Sequence, residues 1–166
     1  GLFDEAKAGL VHFLDKTIDP ERKITDFKLG KTYQILGKIA FKLKDFKNAL
    51  NYYHQSIIQT DGLFKEKDIF KNPVEYSVGF ATFSLVESLV GKADSFIELH
   101  SETENAKFWE AGLATYQAAF DIAAYVSNFY DNDEARIFLG DFVLEAYKNA
   151  VQTIVSHLDS KINLSI

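Results

Sequence analysis

Apolar residues recur at intervals of three and four along most of this chain, and polar stretches near residues 17–26, 61–73, 101–106 and 131–133 interrupt them. The segments between these breaks are too long for strands and suit amphipathic helices. Over 2–16, Leu2, Phe3, Ala6, Leu10, Phe13 and Leu14 fall at helical spacing, with Asp4 and Glu5 in the first turn where carboxylates favour the helix dipole. Residues 26–43 place Phe27, Leu29, Tyr33, Leu36, Ile39, Ala40 and Leu43 on one broad face. Lys44 and Asp45 leave room only for a tight turn. Asp45 then caps a third helix carrying Phe46, Ala49, Leu50, Tyr53, Ile57 and Ile58, and two helices joined so closely form an antiparallel hairpin.

The stretch DGLFKEKDIFKNP, 61–73, reads as a long connector pinned by Leu63, Phe64, Ile69 and Phe70, and Pro73 suits the first turn of the helix that follows. That helix is predicted over 74–100, with Phe80, Phe83, Leu85, Val86, Leu89, Val90, Ala93, Phe96, Ile97 and Leu99 inward. Gly79 and Gly91 within it weaken the helix but let a neighbour approach closely. SETENAK reads as a break before a helix over 108–129 with Trp109, Leu113, Tyr116, Phe120, Ala123 and Val126. Asp131 to Asp133 closes it, and Asp133 is placed to cap a last helix over 134–158. The packing face of that helix is expected at Ile137, Phe138, Phe142, Leu144, Tyr147, Val151, Ile154, Val155 and Leu158; the tail KINLSI is unassigned.

The first hairpin carries an internal repeat. In GKTYQILGKIAFKLKDFKNALNYYHQSIIQTDGL, 30–63, residues Tyr33, Leu36, Gly37, Ala40, Phe46, Ala49, Tyr53 and Ser56 match the large, small and aromatic positions of a tetratricopeptide repeat. Physically, Gly37 and Ala49 let the two helices cross closely while Tyr33, Phe46 and Tyr53 fill the wedge toward the next hairpin. FDEAKAGLVHFL echoes FKNALNYYHQSI, with Ala6 at the place of Ala49, so the first helix reads as the second half of a truncated repeat. WEAGLATYQAAF sets Trp109, Gly112, Tyr116 and Ala119 where Phe46, Ala49, Tyr53 and Ser56 stand, in a lengthened and degenerate hairpin; YKNAVQTIVSHL is a weaker echo. The expected fold is all-α, a tetratricopeptide-like superhelix of about six antiparallel helices in a single domain, with its last hairpins long and irregular.

Over about residues 27–158 the chain resembles the repeat region that precedes the caspase-like CHAT domain in bacterial proteins, through NPVEYSVGFATFSLVESLVGKADSFIEL and FWEAGLATYQAAFDIAAYVSNFYDNDEARIFLGDFVLEAYKNAV. Members of that family are protease-like, with His and Cys in the CHAT domain. The resemblance implies that these helices serve partner binding or regulation, with no peptide hydrolysis of their own. It also implies the missing C-terminal domain as one partner and a bacterial cytoplasmic setting. The chain has no Met and Gly1 opens directly into a helix, so it reads as a piece of a longer protein.

Composition narrows the chemistry further. Zero cysteines exclude a disulfide framework, a thiolate zinc site and a cysteine nucleophile. A net charge of −6 and a pI near 5.2 argue against nucleic acid, which needs clustered Lys and Arg. No run of eighteen or more apolar residues offers a membrane span, and a membrane-lying helix over 2–16 is disfavoured by acids on its polar face. His12, His54, His100 and His157 sit one per helix without metal-ligand spacing and read as structural or surface residues. Glu102 with Glu104, and Asp131 with Asp133, fall in turns where capping explains them. Ser84 and Ser88 lack a nucleophile elbow, and no phosphate-cradling loop occurs. No enzyme activity, cofactor or metal is expected.

What remains is a binding module for a protein or peptide. The groove-facing positions of the first repeat helix map to Lys31, Gln34, Lys38, Phe41 and Lys42, and three lysines around one aromatic suit an acidic or carboxylate-bearing peptide. A solvated helix face explains the same lysines. The competing expectation is architectural: the helices pack against a missing domain or a second copy and hold no separate ligand, which exposed Phe64, Phe70 and Trp109 would favour.

Overall fold

The computed structural model describes residues 1–17, 26–74, 82–128 and 133–163, and their regular structure is all α-helix, without a strand among them. Six helices follow in order: α1 (Leu2–Thr17), α2 (Phe27–Lys42), α3 (Phe46–Thr60), α4 (Thr82–Thr103), α5 (Ala106–Ser127) and α6 (Asp133–Asn163). Helices α2 to α5 each pack along the next, while α6 lies on α5 and α1 touches α2 more lightly.

Both tight hairpin turns are built alike. Asp26 caps α2 by accepting from the amides of Lys28 and Leu29. Lys44 then turns the chain through a left-handed conformation with φ 59°, and Asp45 caps α3 by accepting from the Asn48 amide. Between α4 and α5, Glu104 takes φ 54° and Asn105 caps by accepting from the Lys107 amide. A side-chain oxygen meets an otherwise orphaned amide at each of these starts. SETENAK is therefore barely a break: Ser101 to Thr103 complete α4, Ala106 and Lys107 begin α5, and only Glu104 and Asn105 turn. Polar residues continue a helix there because 101–107 is exposed throughout.

Tyr53 is the pivot of the stack. Its ring lies against Gly37 of α2, where a Cβ would stand 2.9 Å from Cδ1, and against Gly91 of α4, where a Cβ would stand 2.6 Å from Cε1. Leu36, Ala40, Ala49 and Ser56 are fully buried around this crossing, so the close approach expected of the repeat positions is realised. Gly112 does the corresponding work in the second hairpin, seated on Phe96 and Ile97 of α4, with Tyr116 and Ala119 buried.

The principal core joins Ile57, Leu85, Val86, Leu89, Ala119, Ile122 and Val126 with Leu139 from α6. A second cluster, Phe46, Leu50, Phe96, Leu99 and Ala111, receives Ile69 and Phe70 from the connector. Phe64 is buried beside Ile57 and Phe70 stacks between Phe96 and Phe108, with centroids 5.5 and 6.1 Å away, whereas Leu63 stays exposed. Three of the four expected pins hold the connector.

Two sequence expectations need correction. Val74 lies in a bend, and the first described turn of α4 begins at Thr82; Gly79 and Phe80 lie outside the described residues. On α6, Phe142 packs on the core as expected and the Tyr147 ring leans on Phe120, 5.4 Å between centroids, while remaining largely exposed; Ile137, Leu144, Val151 and Val155 are exposed, and Leu139, Ala146 and Ala150 are buried. Helix α6 is apolar on two faces, and periodicity alone does not say which of them α5 covers.

Helix α1 is the thinnest part of the stack. Leu14 is buried, Phe3, Ala6 and Phe13 are exposed, and Lys7 pairs with Asp45 at 3.4 Å. Gly9 has open space where its Cβ would be. Gly9→Ala is expected to strengthen α1 by about 1 kcal/mol through helix propensity alone, seen as slower amide exchange across 2–17; unchanged exchange there would count against it.

Candidate functional site

The lysine row on α2 faces the protein's own acid. Lys38 forms an ion pair with Glu87 of α4, and the Lys31 Nζ lies 3.7 Å from the same carboxylate. Lys31 also donates to Gln34 Oε1 at 2.8 Å. Gln34 does not belong to an open groove: it is 1 % exposed, and its Nε2 donates to the Ser84 carbonyl and to Ser88 Oγ, both at 3.0 Å. Ser88 Oγ lies 2.8 Å from Ser56 Oγ, which donates to the Gly30 carbonyl. A buried polar layer thus fixes the register of α2, α3 and α4, and Gln34 is spent in it. Phe41 is half-buried edge-to-face on Phe46, 5.2 Å between centroids, and Lys42 is exposed at the end of α2. The five residues are therefore dispersed among an ion-pair cluster, an interior layer, the core edge and the exposed end of α2.

A second polar cluster clamps the connector. Lys92 of α4 is 0 % exposed, and its ammonium donates to the Lys71 carbonyl at 2.7 Å, Asn72 Oδ1 at 2.9 Å and His54 Nδ1 at 3.2 Å. His54 Nε2 lies 2.9 Å from the Glu66 carbonyl, so that nitrogen carries the hydrogen and Nδ1 is left to accept from Lys92. Asn72 Nδ2 donates onward to Thr115 Oγ1 of α5 at 3.1 Å. Burial, followed by the Lys92 charge, pushes His54 down to about 4, which keeps the ring neutral at physiological pH. Burial also pushes Lys92 down to about 7, opposed by the charge of Asp68. Acceptors from α3 and from the connector meet on this one ammonium, so the cluster clamps the connector to α3 and α4.

Between α4, α5 and α6 lies a cleft of about 910 Å³ lined by Glu98, His100, Glu104, Trp109, Gln152 and His157, among others. Trp109 stacks on His157 at 4.0 Å, and His100 lies 5.5 and 5.0 Å from these two rings. The His100 Nδ1 is 3.1 Å from the Asn105 carbonyl, which ties the ring to the α4–α5 turn. Deeper along α4, Tyr116 donates to Asp94, whose carboxyl burial pushes up to about 6. Trp109 and the histidines therefore serve as the seam that seats α6. Among the described residues no three His, Asp or Glu side chains are grouped to hold a metal ion.

The outward side of α6 is different in kind. Ile137, Leu144, Tyr147, Val151 and Val155 are 42–63 % exposed and recur at seven, three, four and four, which places them on one side of the helix. Phe64 is buried, and Phe70 and Trp109 are half-buried, so none of the aromatics whose exposure would favour an architectural role is open. Exposed apolar side chains occur elsewhere, Phe3, Phe13 and Leu63 among them, but those on α6 share one side of a single helix.

No known family model, curated protein or solved structure matches the chain. No helix among the described residues is long and apolar enough to cross a membrane.

Proposed function

We propose that this chain is a protein-interaction module of the helical-repeat kind, a scaffold that holds another protein against the outward side of α6 and performs no catalysis itself. The stripe from Ile137 to Val155 carries the reading: a row of large exposed apolar side chains along one side of a helix is the surface a partner helix covers. The packing order supports it, because among the described residues each helix from α2 to α5 lies along the next, as stacked hairpins do. The lysine row supports it less, since Glu87 already meets Lys31 and Lys38. The sequence resemblance supplies the setting: the regulatory repeat region of a larger CHAT-type protein in the bacterial cytoplasm.

A photo-crosslinking side chain in place of Leu144, in the chain expressed in its native cell, tests this. The expected result is one discrete adduct, of a protein identified by mass spectrometry, that disappears when Val151→Glu is added and is absent when the probe replaces exposed Lys47. Equal labelling from positions 144 and 47, or labelling that Val151→Glu does not alter, would sink the proposal.

A further inference from the structure

The distribution of charge and bulk along α6 points to its occupant: we infer that the stripe pairs with the same stripe of a second copy, antiparallel, about a two-fold axis near the level of Ala146. The inference rests on the reading of α6 as a contact face and names what covers it.

Three features of the helix agree under that symmetry. The end residues of the stripe, Ile137 and Val155, stand equally far from the midpoint, so each end residue of one copy meets the opposite end residue of the other. Gly140 is exposed, with nothing within 4 Å of where a Cβ would stand, and leaves a notch in the first half of the stripe. Val151 stands about as far beyond the midpoint, so a two-fold axis places each Val151 over the partner's notch. The exposed charges flanking the stripe are divided as well: Asp141 and Glu145 lie before the midpoint and Lys148 beyond it. An antiparallel pair sets each Lys148 between Asp141 and Glu145 of the other copy, while a parallel pair sets like charge against like.

Such a contact is isologous, each copy giving and receiving the same patch. From Ile137 to Val155 the stripe is about 27 Å long at 1.5 Å per residue. That is a small interface, and a dissociation constant in the micromolar range is expected of it.

The absence of cysteine makes the geometry directly testable. The full chain is examined by sedimentation equilibrium across a concentration series, and single cysteines are introduced as Ile137→Cys and Val155→Cys. The expected results are a monomer–dimer equilibrium, rapid disulfide formation when the two cysteine variants are mixed, and little when Ile137→Cys is oxidised alone. Lys148→Glu is expected to weaken the dimer about tenfold, and adding Asp141→Lys with Glu145→Lys to restore it, with helicity and melting unchanged as the check on folding. A monomer at every concentration overturns the second copy as occupant. If the Leu144 photo-probe still gives its discrete adduct to a different protein, or to another segment of a longer form of this chain, the interaction reading survives and only the self-pairing falls. Faster cross-linking of Ile137→Cys with itself overturns the antiparallel arrangement.

Discussion

Gly91→Ala is expected to destabilise the protein by about 2 kcal/mol, although alanine is the better helix former by about 1 kcal/mol. The new Cβ would lie 2.6 and 2.7 Å from Cε1 and Cε2 of Tyr53 and closer still to Cζ. A rigid aromatic ring has no flexible end to fold away, and retreat toward α2 is closed because the same ring already fills the space above Gly37. Overpacking of this kind typically costs about 1–3 kcal/mol or more, enough to outweigh the propensity gain. Chemical denaturation reads the effect as a lower midpoint at an unchanged slope. Tyr53→Leu in the same chain should absorb the added methyl, so the two substitutions should couple strongly in a double-mutant cycle. A Gly91→Ala protein more stable than the parent would mean that α3 and α4 slide apart freely, and the account of Tyr53 as pivot would be wrong.

That pivot was legible in part. The spacing of Tyr33, Leu36, Gly37, Ala40, Phe46, Ala49, Tyr53 and Ser56 located the first hairpin, its turn and its close crossing, because small and aromatic residues at fixed offsets have few other uses. The all-α class and six helices follow from the same periodicity. The packing of α6 was legible only in part: Phe142 packs on the core as expected, but Ile137, Leu144 and Val151 repeat as regularly as Leu139, Ala146 and Ala150, and only the three-dimensional position of α5 selects between the two sets. The acid facing the lysine row was hidden for a related reason. Exposed lysines on α2 have the same spacing whether they face a groove or an acid, and Glu87 is remote in sequence.

Lys92 escaped the sequence reading, yet it left a signal. It stands three residues after Leu89 and four before Phe96, in register with the buried face of α4, where an ammonium is out of place unless acceptors are built for it. The acceptors come from the connector, whose polar composition gives no sign of which carbonyl will be turned inward. Of the two roles the sequence leaves to His54, structural or surface, its buried place between Glu66 and Lys92 selects the structural one.

The clamp fixes an unusual dependence of stability on pH. Lys92 is pushed from its ordinary 10.5 down to about 7, so between these values the unfolded chain holds a proton that the folded chain releases. Stability therefore rises with pH across that window, by as much as about 1.4 kcal/mol per unit. Above about pH 10 the slope reverses, because burial pushes the phenols of Tyr53 and Tyr116 well upward and the folded chain keeps protons that unfolded tyrosines lose. On the acid side two groups oppose each other. His54, lowered to about 4, loses stability as pH falls from 6.5, whereas Asp94, raised to about 6, gains it over nearly the same range. The expected profile is thus shallow near pH 4–6, climbs from 7 to about 10 and then falls. Lys92→Met should abolish the climb and leave the Lys71 carbonyl and His54 Nδ1 unmet at about 1 kcal/mol each, a loss of about 2 kcal/mol, while Asn72 Oδ1 keeps the Thr115 hydroxyl. It should also speed amide exchange across 61–74, where Lys71 and Asn72 are released. Denaturation midpoints of both proteins from pH 5 to 11 decide the matter: a climb that persists in Lys92→Met would assign it to another group and leave the clamp without its titrating element.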